Sequence, residues 1–343
     1  MAHLPTLLFI PGAWHKPTCY SKIIGILEQR LHTRCISITL PSTAGDRNAT
    51  FKDDLDVARA ALASETQAGR NVVVIAHSYG GMVGCSAIRG FARPHGNIGD
   101  ATAGSASSNL DEPANRTQNP PKGYVVGLIL IASGFTLTGF SFMDPFFGIP
   151  PPTWRVNKES GFAELVKPPG ELFYHDVPAD EANEAISQLT PQSLKALFEG
   201  GEYSYAGWTD VPCWYIGTTQ DRGLPVVVQR VNVGMAREMG GCVEHREVGS
   251  GHSPFLSMPD KVMGIVVEAV ETFTGLPVDG SRHEVGEDEK VGVPAAGLWS
   301  PSTWLRFGLP LTFGHALGRY ILIFGWLRGL FATRSAYGGG VRV

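Results

Sequence analysis

One stretch constrains this chain more than any other: Val72-Val73-Val74-Ile75-Ala76-His77-Ser78-Tyr79-Gly80-Gly81. Its β-branched run, residues 71–75, reads as a fully buried strand. Small residues end the run, and residues 82–88 read as helix. A serine on so tight a strand-to-helix turn is held in a strained backbone conformation, so the residues two before and two after it must be small. Here they are Ala76 and Gly80. The turn exposes the hydroxyl of Ser78 at a strand end, as a nucleophile requires. An ordinary strand–helix loop would carry the same five residues without chemistry, so the rest of the chain has to decide.

The rest of the chain alternates. Strand-like runs fall at 6–10, 35–40, 71–75, 124–132, 211–217 and 242–248, with helical patterns at 20–31, 51–68, 80–91, 226–239 and 259–273. Thr50 with Asp53 three residues on, and Ser257 with Asp260, read as helix starts. Strand–helix alternation predicts an α/β fold with a mostly parallel sheet of about six strands and helices on both faces. Such sheets carry their active residues on loops at the strand C-terminal ends.

A serine hydroxyl needs a base, and the base needs an orienting carboxylate. On such a sheet the expected chain order is serine, acid, histidine. Asp221 follows the strand at 211–217, and His252 follows the strand at 242–248, each ahead of a predicted helix. Ser78, Asp221 and His252 are therefore the candidate catalytic residues. His77 and His15 are set aside: His77 is expected to point off the turn, and His15 has no acid in the required order.

Two backbone N–H groups should stabilise a developing oxyanion. Tyr79, just after the serine, supplies one. Ala13 or Trp14, in the loop after the first strand, supplies the other, with Gly12 leaving room for substrate. No metal-ligand spacing or phosphate-binding glycine loop is present, so no metal or cofactor is expected.

Residues 93–122 are rich in Gly, Ser, Ala, Asn and Pro and read as a disordered surface insertion. Residues 138–208 interrupt the alternation and read as a helical cap over the site. Its helices are expected to start at Pro178 and at Thr190-Pro191. Its aromatic residues Phe142, Phe146 and Trp154 are the candidate substrate contacts. The core is then residues 1–137 with 209–275, and a linker and apolar tail occupy 276–343.

These motifs resemble the α/β-hydrolase superfamily. The match is to the compact branch of plant methylesterases, hydroxynitrile lyases and bacterial and fungal esterase-like proteins. It rests on Phe9-Ile10-Pro11-Gly12-Ala13-Trp14-His15, Ala76-His77-Ser78-Tyr79-Gly80-Gly81, Gln220-Asp221 before Pro225, and Gly251-His252-Ser253-Pro254-Phe255-Leu256. The cap segments Phe173-Tyr174-His175-Asp176-Val177-Pro178 and Leu189-Thr190-Pro191-Gln192-Ser193-Leu194 are similar too. The resemblance implies a serine hydrolase acting on a carboxylic ester, thioester or lactone of a small apolar molecule, with secondary metabolism as the family setting. A carbon–carbon hydrolase or cyclase with the same triad, and a non-catalytic ligand-binding protein on this scaffold, are the alternatives. Hydroxynitrile lyases of this branch carry a lysine after the histidine and a threonine in the first loop. Ser253 and Gly12 stand at those places, which argues against cyanohydrin cleavage.

A net charge of −4 offers no case for nucleic acid. The five cysteines are odd in number, which fits reduced thiols better than a disulfide framework. With so short a run before the first strand, no signal peptide is expected, and the expected location is cytoplasmic. The tail, 299–331, combines Trp, Phe and Leu with scattered arginines. Its glycines and Pro310 are expected to weaken any long helix, and its charges to exclude a transmembrane span. Docking on the body or on a second copy, as in a homodimer, is expected ahead of peripheral membrane contact.

Overall fold

A computed structural model of the chain describes residues 4–94, 123–278, 291–297 and 299–337, with side chains as far as residue 328. Its strands in chain order are β1 (Thr6–Ile10), β2 (Cys35–Ser37), β3 (Val72–His77), β4 (Val125–Ile131), β5 (Trp154–Asn157), β6 (Phe162–Leu165), β7 (Gln192–Ser193), β8 (Cys213–Thr218) and β9 (Val243–Val248). Six of them form one sheet in the order β2-β1-β3-β4-β8-β9. All five pairings in it are parallel, so both faces must be covered. The helices α1 (Ser21–Leu31) and α9 (Pro259–Thr274) cover one face. The other face is covered by α2 (Phe51–Gln67), α3 (Gly80–Ala87), α7 (Val226–Glu238) and the excursion between β4 and β8.

Burial explains why the strands read as continuous apolar runs. Val72, Val73, Val74 and Ile75 are fully buried. Burying side chains of this kind contributes roughly 1.5–3 kcal/mol each. The helix start at Thr50 is a full capping box: Thr50 Oγ1 accepts from the Asp53 N–H at 3.3 Å, and Asp53 Oδ2 accepts from the Thr50 N–H at 2.8 Å.

Several local expectations are corrected. β2 stops at Ser37, short of the expected residue 40, and a helical turn begins at Pro41. Ser257 ends a short helix, α8 (Pro254–Ser257), and its hydroxyl pairs with that of Ser250 at 2.7 Å instead of capping α9. Thr190-Pro191 leads into β7, and α6 (Leu194–Phe198) starts later.

The excursion is a mixed cap where helices alone were expected. β5, β6 and β7 form an antiparallel sheet whose hairpin turns at Gly161, at φ +81°. Beside it lie α4 (Pro169–Leu172), α6 and α5 (Ala179–Ser187), the last following Pro178 as expected. Leu172, Phe173, Tyr174, Val177 and Ala182 give this layer its own buried cluster. Most of the predicted insertion, 95–122, and the charged segment 279–290 lie outside the described residues.

One expectation for the tail is overturned, that its glycines and Pro310 would weaken any long helix. A short helix α10 (Pro301–Thr303) and a π-helical turn, Trp304–Gly308, run into α11 (Leu309–Tyr337), which is 29 residues long. Span 301–328 is long and apolar enough to cross a membrane by length and composition. Its first half packs instead on α7. A Cβ on Gly314 would come within 2.2 Å of the Val231 carbonyl, and one on Gly318 within 2.7 Å of the Met235 carbonyl. Glycine costs a helix about 1 kcal/mol in isolation, but here it permits a close approach of two backbones. Polar ties secure the docking, among them His315 Nδ1 with Glu238 at 3.2 Å. Arg230, paired with Glu247 at 2.7 and 2.8 Å, donates to the Arg306 carbonyl at 2.8 Å, and Glu238 accepts from Arg319 at 2.8 Å.

Candidate active site

The elbow is built as its sequence demands. Ser78 sits at φ +50°, a left-handed conformation that L-residues adopt only when their surroundings hold them there. Its N–H donates to the Ile131 carbonyl at 3.1 Å, and its carbonyl accepts from the Ser133 hydroxyl at 2.7 Å. Gly80 lets the loop after β1 lie on the helix start, since a Cβ there would fall 2.4 Å from the Pro11 carbonyl. Tyr79 is fully buried, and its hydroxyl donates to Asp54 at 2.7 Å. Burial raises the Asp54 carboxyl to about 6, against the hydrogen bonds from Ser42 and Tyr79 that favour its charge.

β8 and β9 deliver the other two candidates. His252 Nδ1 lies 2.8 Å from Asp221 Oδ2. The other carboxylate oxygen, Oδ1, accepts from the N–H groups of Gly223 at 2.7 Å and Leu224 at 2.8 Å. Thr218 and Gln229 also donate to Oδ2, at 2.8 and 3.2 Å. Burial alone would raise the pKa of Asp221. The charge and hydrogen bond of His252, the Leu224 N–H and the Thr218 hydroxyl outweigh burial and hold the carboxyl below its ordinary value. A carboxylate charged and fixed in this way keeps the proton of His252 on Nδ1 and leaves Nε2 as the acceptor.

Ser78 and His252 line one cavity of about 410 Å³. Ala13 and Trp14 lie in the same wall, and Trp14 is held at φ +63°. Trp14 is tied to the cap in two ways: its indole donates to the Ala163 carbonyl at 3.1 Å, and its carbonyl accepts from Thr190 at 2.9 Å. Of the four candidate substrate contacts, Phe142, Phe146 and Trp154 line the cavity. Gly12 does not. It packs behind the elbow, where a Cβ would meet His77 Nδ1 at 2.9 Å and Ser78 Cβ at 3.1 Å.

Three features escaped the reading of the sequence. His77 does not line the cavity, but its Nε2 donates to the His252 carbonyl at 2.9 Å. Burial first, then the neighbouring His252 and His15, keep His77 neutral, far below the ordinary histidine pKa. His15 is also neutral, lowered to about 4 chiefly by burial. Its Nδ1 donates to the Ala13 carbonyl at 2.7 Å, so Nε2 accepts from the Tyr174 hydroxyl at 2.9 Å. Finally, Asp176 of the cap accepts from the Gly251 N–H at 2.7 Å and the Ser250 hydroxyl at 2.8 Å. Core and cap thus grip the loop that carries His252 from both sides. A sequence shows these as isolated polar residues, because all of these contacts but that of His15 with Ala13 are long-range.

A strained serine at the end of a central parallel strand, with a carboxylate-bound histidine in the same cavity, defines the α/β-hydrolase class of enzyme. Residues 7–265 match the alpha/beta hydrolase family, and the chain belongs to it. The alpha/beta hydrolase nvfD of Aspergillus novofumigatus is 25% identical over 271 residues, covering 77% of this chain and 96% of that protein. Among solved structures, a pyrethroid hydrolase from Sphingobium faniae JZ-2 superposes with a TM-score of 0.56 at 18% identity, over 78% of this chain and 97% of that one. Polyneuridine aldehyde esterase superposes with a TM-score of 0.55 at 16% identity, over 78% and 99%. At such identity the structural likeness speaks for the fold alone.

Proposed function

We propose that this protein is a serine hydrolase that cleaves a carboxylic ester, thioester or lactone of a small apolar molecule. The observation that carries the reading is the 2.8 Å bond between His252 and Asp221, set in the cavity that Ser78 also lines. In this reading His252 Nε2 takes the proton of Ser78 as Oγ attacks the substrate carbonyl. The tetrahedral oxyanion is met by the N–H of Tyr79 and the N–H of Ala13 or Trp14. His252 then gives its proton to the leaving alkoxide or thiolate, which departs and leaves an acyl ester on Ser78. Water, deprotonated by the same histidine, releases the acid and restores the serine.

The aromatic and aliphatic walls, Phe142, Phe146, Trp154, Phe173, Leu197 and Met82, favour an apolar acyl or alcohol portion.

Turnover of a series of p-nitrophenyl esters of increasing acyl length tests the reading. Ser78→Ala, His252→Ala and Asp221→Asn should each lower kcat by about 10³-fold or more, with combined variants little worse than single ones. Near-native turnover by Asp221→Asn would assign the orienting acid elsewhere. A β-diketone cleaved faster than every ester would replace the ester reading with the carbon–carbon one.

A further inference from the structure

Among the described residues, the face of α11 turned away from α7 has no partner. Leu311, Gly314, Leu317, Gly318 and Ile321 form the stripe turned toward the body, at the three-to-four spacing of a docked helix. Beyond Ile321 the docking ends. Every residue from Leu322 to Arg328 is exposed, including Phe324 at 55% and Trp326 at 65%. An apolar helix end with no shielded side is stable only inside another apolar phase.

Charge and position say which phase. From residue 291 to the C-terminus there is no aspartate or glutamate, but there are five arginines, in a chain whose net charge is −4. Arg319 is already paired with Glu238, but isologous pairing of the free end would face Arg328 with its own copy and supply no counter-charge. Lipid phosphates supply it, and tryptophans such as Trp299, Trp304 and Trp326 suit a headgroup boundary. The segment also borders the cavity. Leu317 of α11 and Val228 of α7 stand in its wall beside Ser78 and His252, while Val227, Phe146 and Phe147 present exposed apolar surface next to it.

We propose that the free end of α11 inserts into the headgroup boundary of an anionic bilayer, with its first half still docked on α7. Insertion brings the cavity mouth to the lipid surface, where apolar acyl compounds partition. The docking stands independently; the substrate source rests on the hydrolase reading above.

The full chain is floated with phosphatidylcholine vesicles, with and without phosphatidylserine, beside a variant carrying Leu322→Glu, Phe324→Glu and Trp326→Glu. All three positions are exposed, so the body should fold as before, which circular dichroism checks. The full chain should float with the phosphatidylserine vesicles, and the variant should bind about tenfold less. Alkaline carbonate should release the bound protein. The variant should hydrolyse a long-chain ester dissolved in the vesicles more slowly than the full chain, while both turn over a short soluble ester equally. Failure of the full chain to float, with or without a dimer in light scattering, would overturn the proposal, as would undiminished binding of the variant. Resistance to carbonate would overturn it in favour of a span. If neither ester is hydrolysed while flotation behaves as expected, the hydrolase reading fails and the docking stands.

Discussion

At the elbow, Gly80 lets the loop after β1 rest on the start of α3; along the tail, Gly314 and Gly318 let α11 rest on α7. The same device has opposite settings. The elbow is braced on every side but the cavity's, by Ser133 on the Ser78 carbonyl, by Asp54 on Tyr79 and by His77 on the His252 loop. The tail is held from one side only, by a glycine stripe and by Arg230 and Glu238. Enclosure fixes a serine in a strained conformation, and one-sided docking leaves an apolar face to spare. The first is what chemistry needs, and the second is what a surface contact needs.

The difference is sharpest at Arg230. Its guanidinium is buried in a bidentate pair with Glu247 and also holds the Arg306 carbonyl. Removing one partner of a buried pair typically costs about 3–5 kcal/mol, because the other charge is stranded. Arg230→Ala should lower stability by about that amount in urea unfolding and expose α11 to limited proteolysis. Arg230→Met with Glu247→Leu should recover most of the stability but not the grip on Arg306. A cost below about 1 kcal/mol for the single variant would mean that this pair does not anchor the tail.

Acid probes both regions together. His15 and His77 lie by the elbow, and His245, lowered to about 3 chiefly by burial, lies on β9 beside the Arg230–Glu247 pair. Each has a folded pKa below its unfolded value, so the unfolded chain binds more protons and stability falls as the pH drops below 6.5. His15 alone should cost on the order of 3 kcal/mol by the time the pH reaches its folded value of about 4. Asp54 runs the other way. Its folded pKa is raised to about 6, so the stability it contributes is lost as the pH rises through that value. Three histidines outweigh one carboxyl, so the melting temperature should fall between pH 6.5 and pH 4. His245→Leu should flatten that slope, and an unchanged slope would remove His245 from the account.

The smallest effect separates the two uses of glycine. Overpacking a close approach costs about 1–3 kcal/mol in either region. Gly80→Ala should also cut ester turnover, because it lifts the loop carrying Ala13 and Trp14 away from Ser78. Gly314→Ala should loosen α11, seen as faster amide exchange along it, with turnover of a short ester kept. Equal losses of turnover in both would erase the distinction.

The elbow was legible because its constraint is local: strand, small residue, serine and glycine occupy adjacent positions. The chain order of Ser78, Asp221 and His252 was legible because strand–helix alternation places each at a strand end. The supports were not. His77 and Asp176 stand inside the matching motifs, but their roles depend on partners far away in sequence, and nothing in the neighbours of Gln229 marks its bond to Asp221. The tail misled for a physical reason: glycines that weaken an isolated helix are what let α11 and α7 approach. Gly12 misled in the same way, since the room it leaves is taken by the elbow itself.

The most direct test of the central claim, that Ser78 is activated by a histidine fixed on Asp221, is labelling of the folded full chain with a fluorophosphonate, read by intact mass and peptide mapping. The account predicts a single adduct on Ser78, absent in Ser78→Ala and formed at least about 10³-fold more slowly in His252→Ala. A folded protein that takes no label, or an adduct that forms as fast without His252, would contradict it.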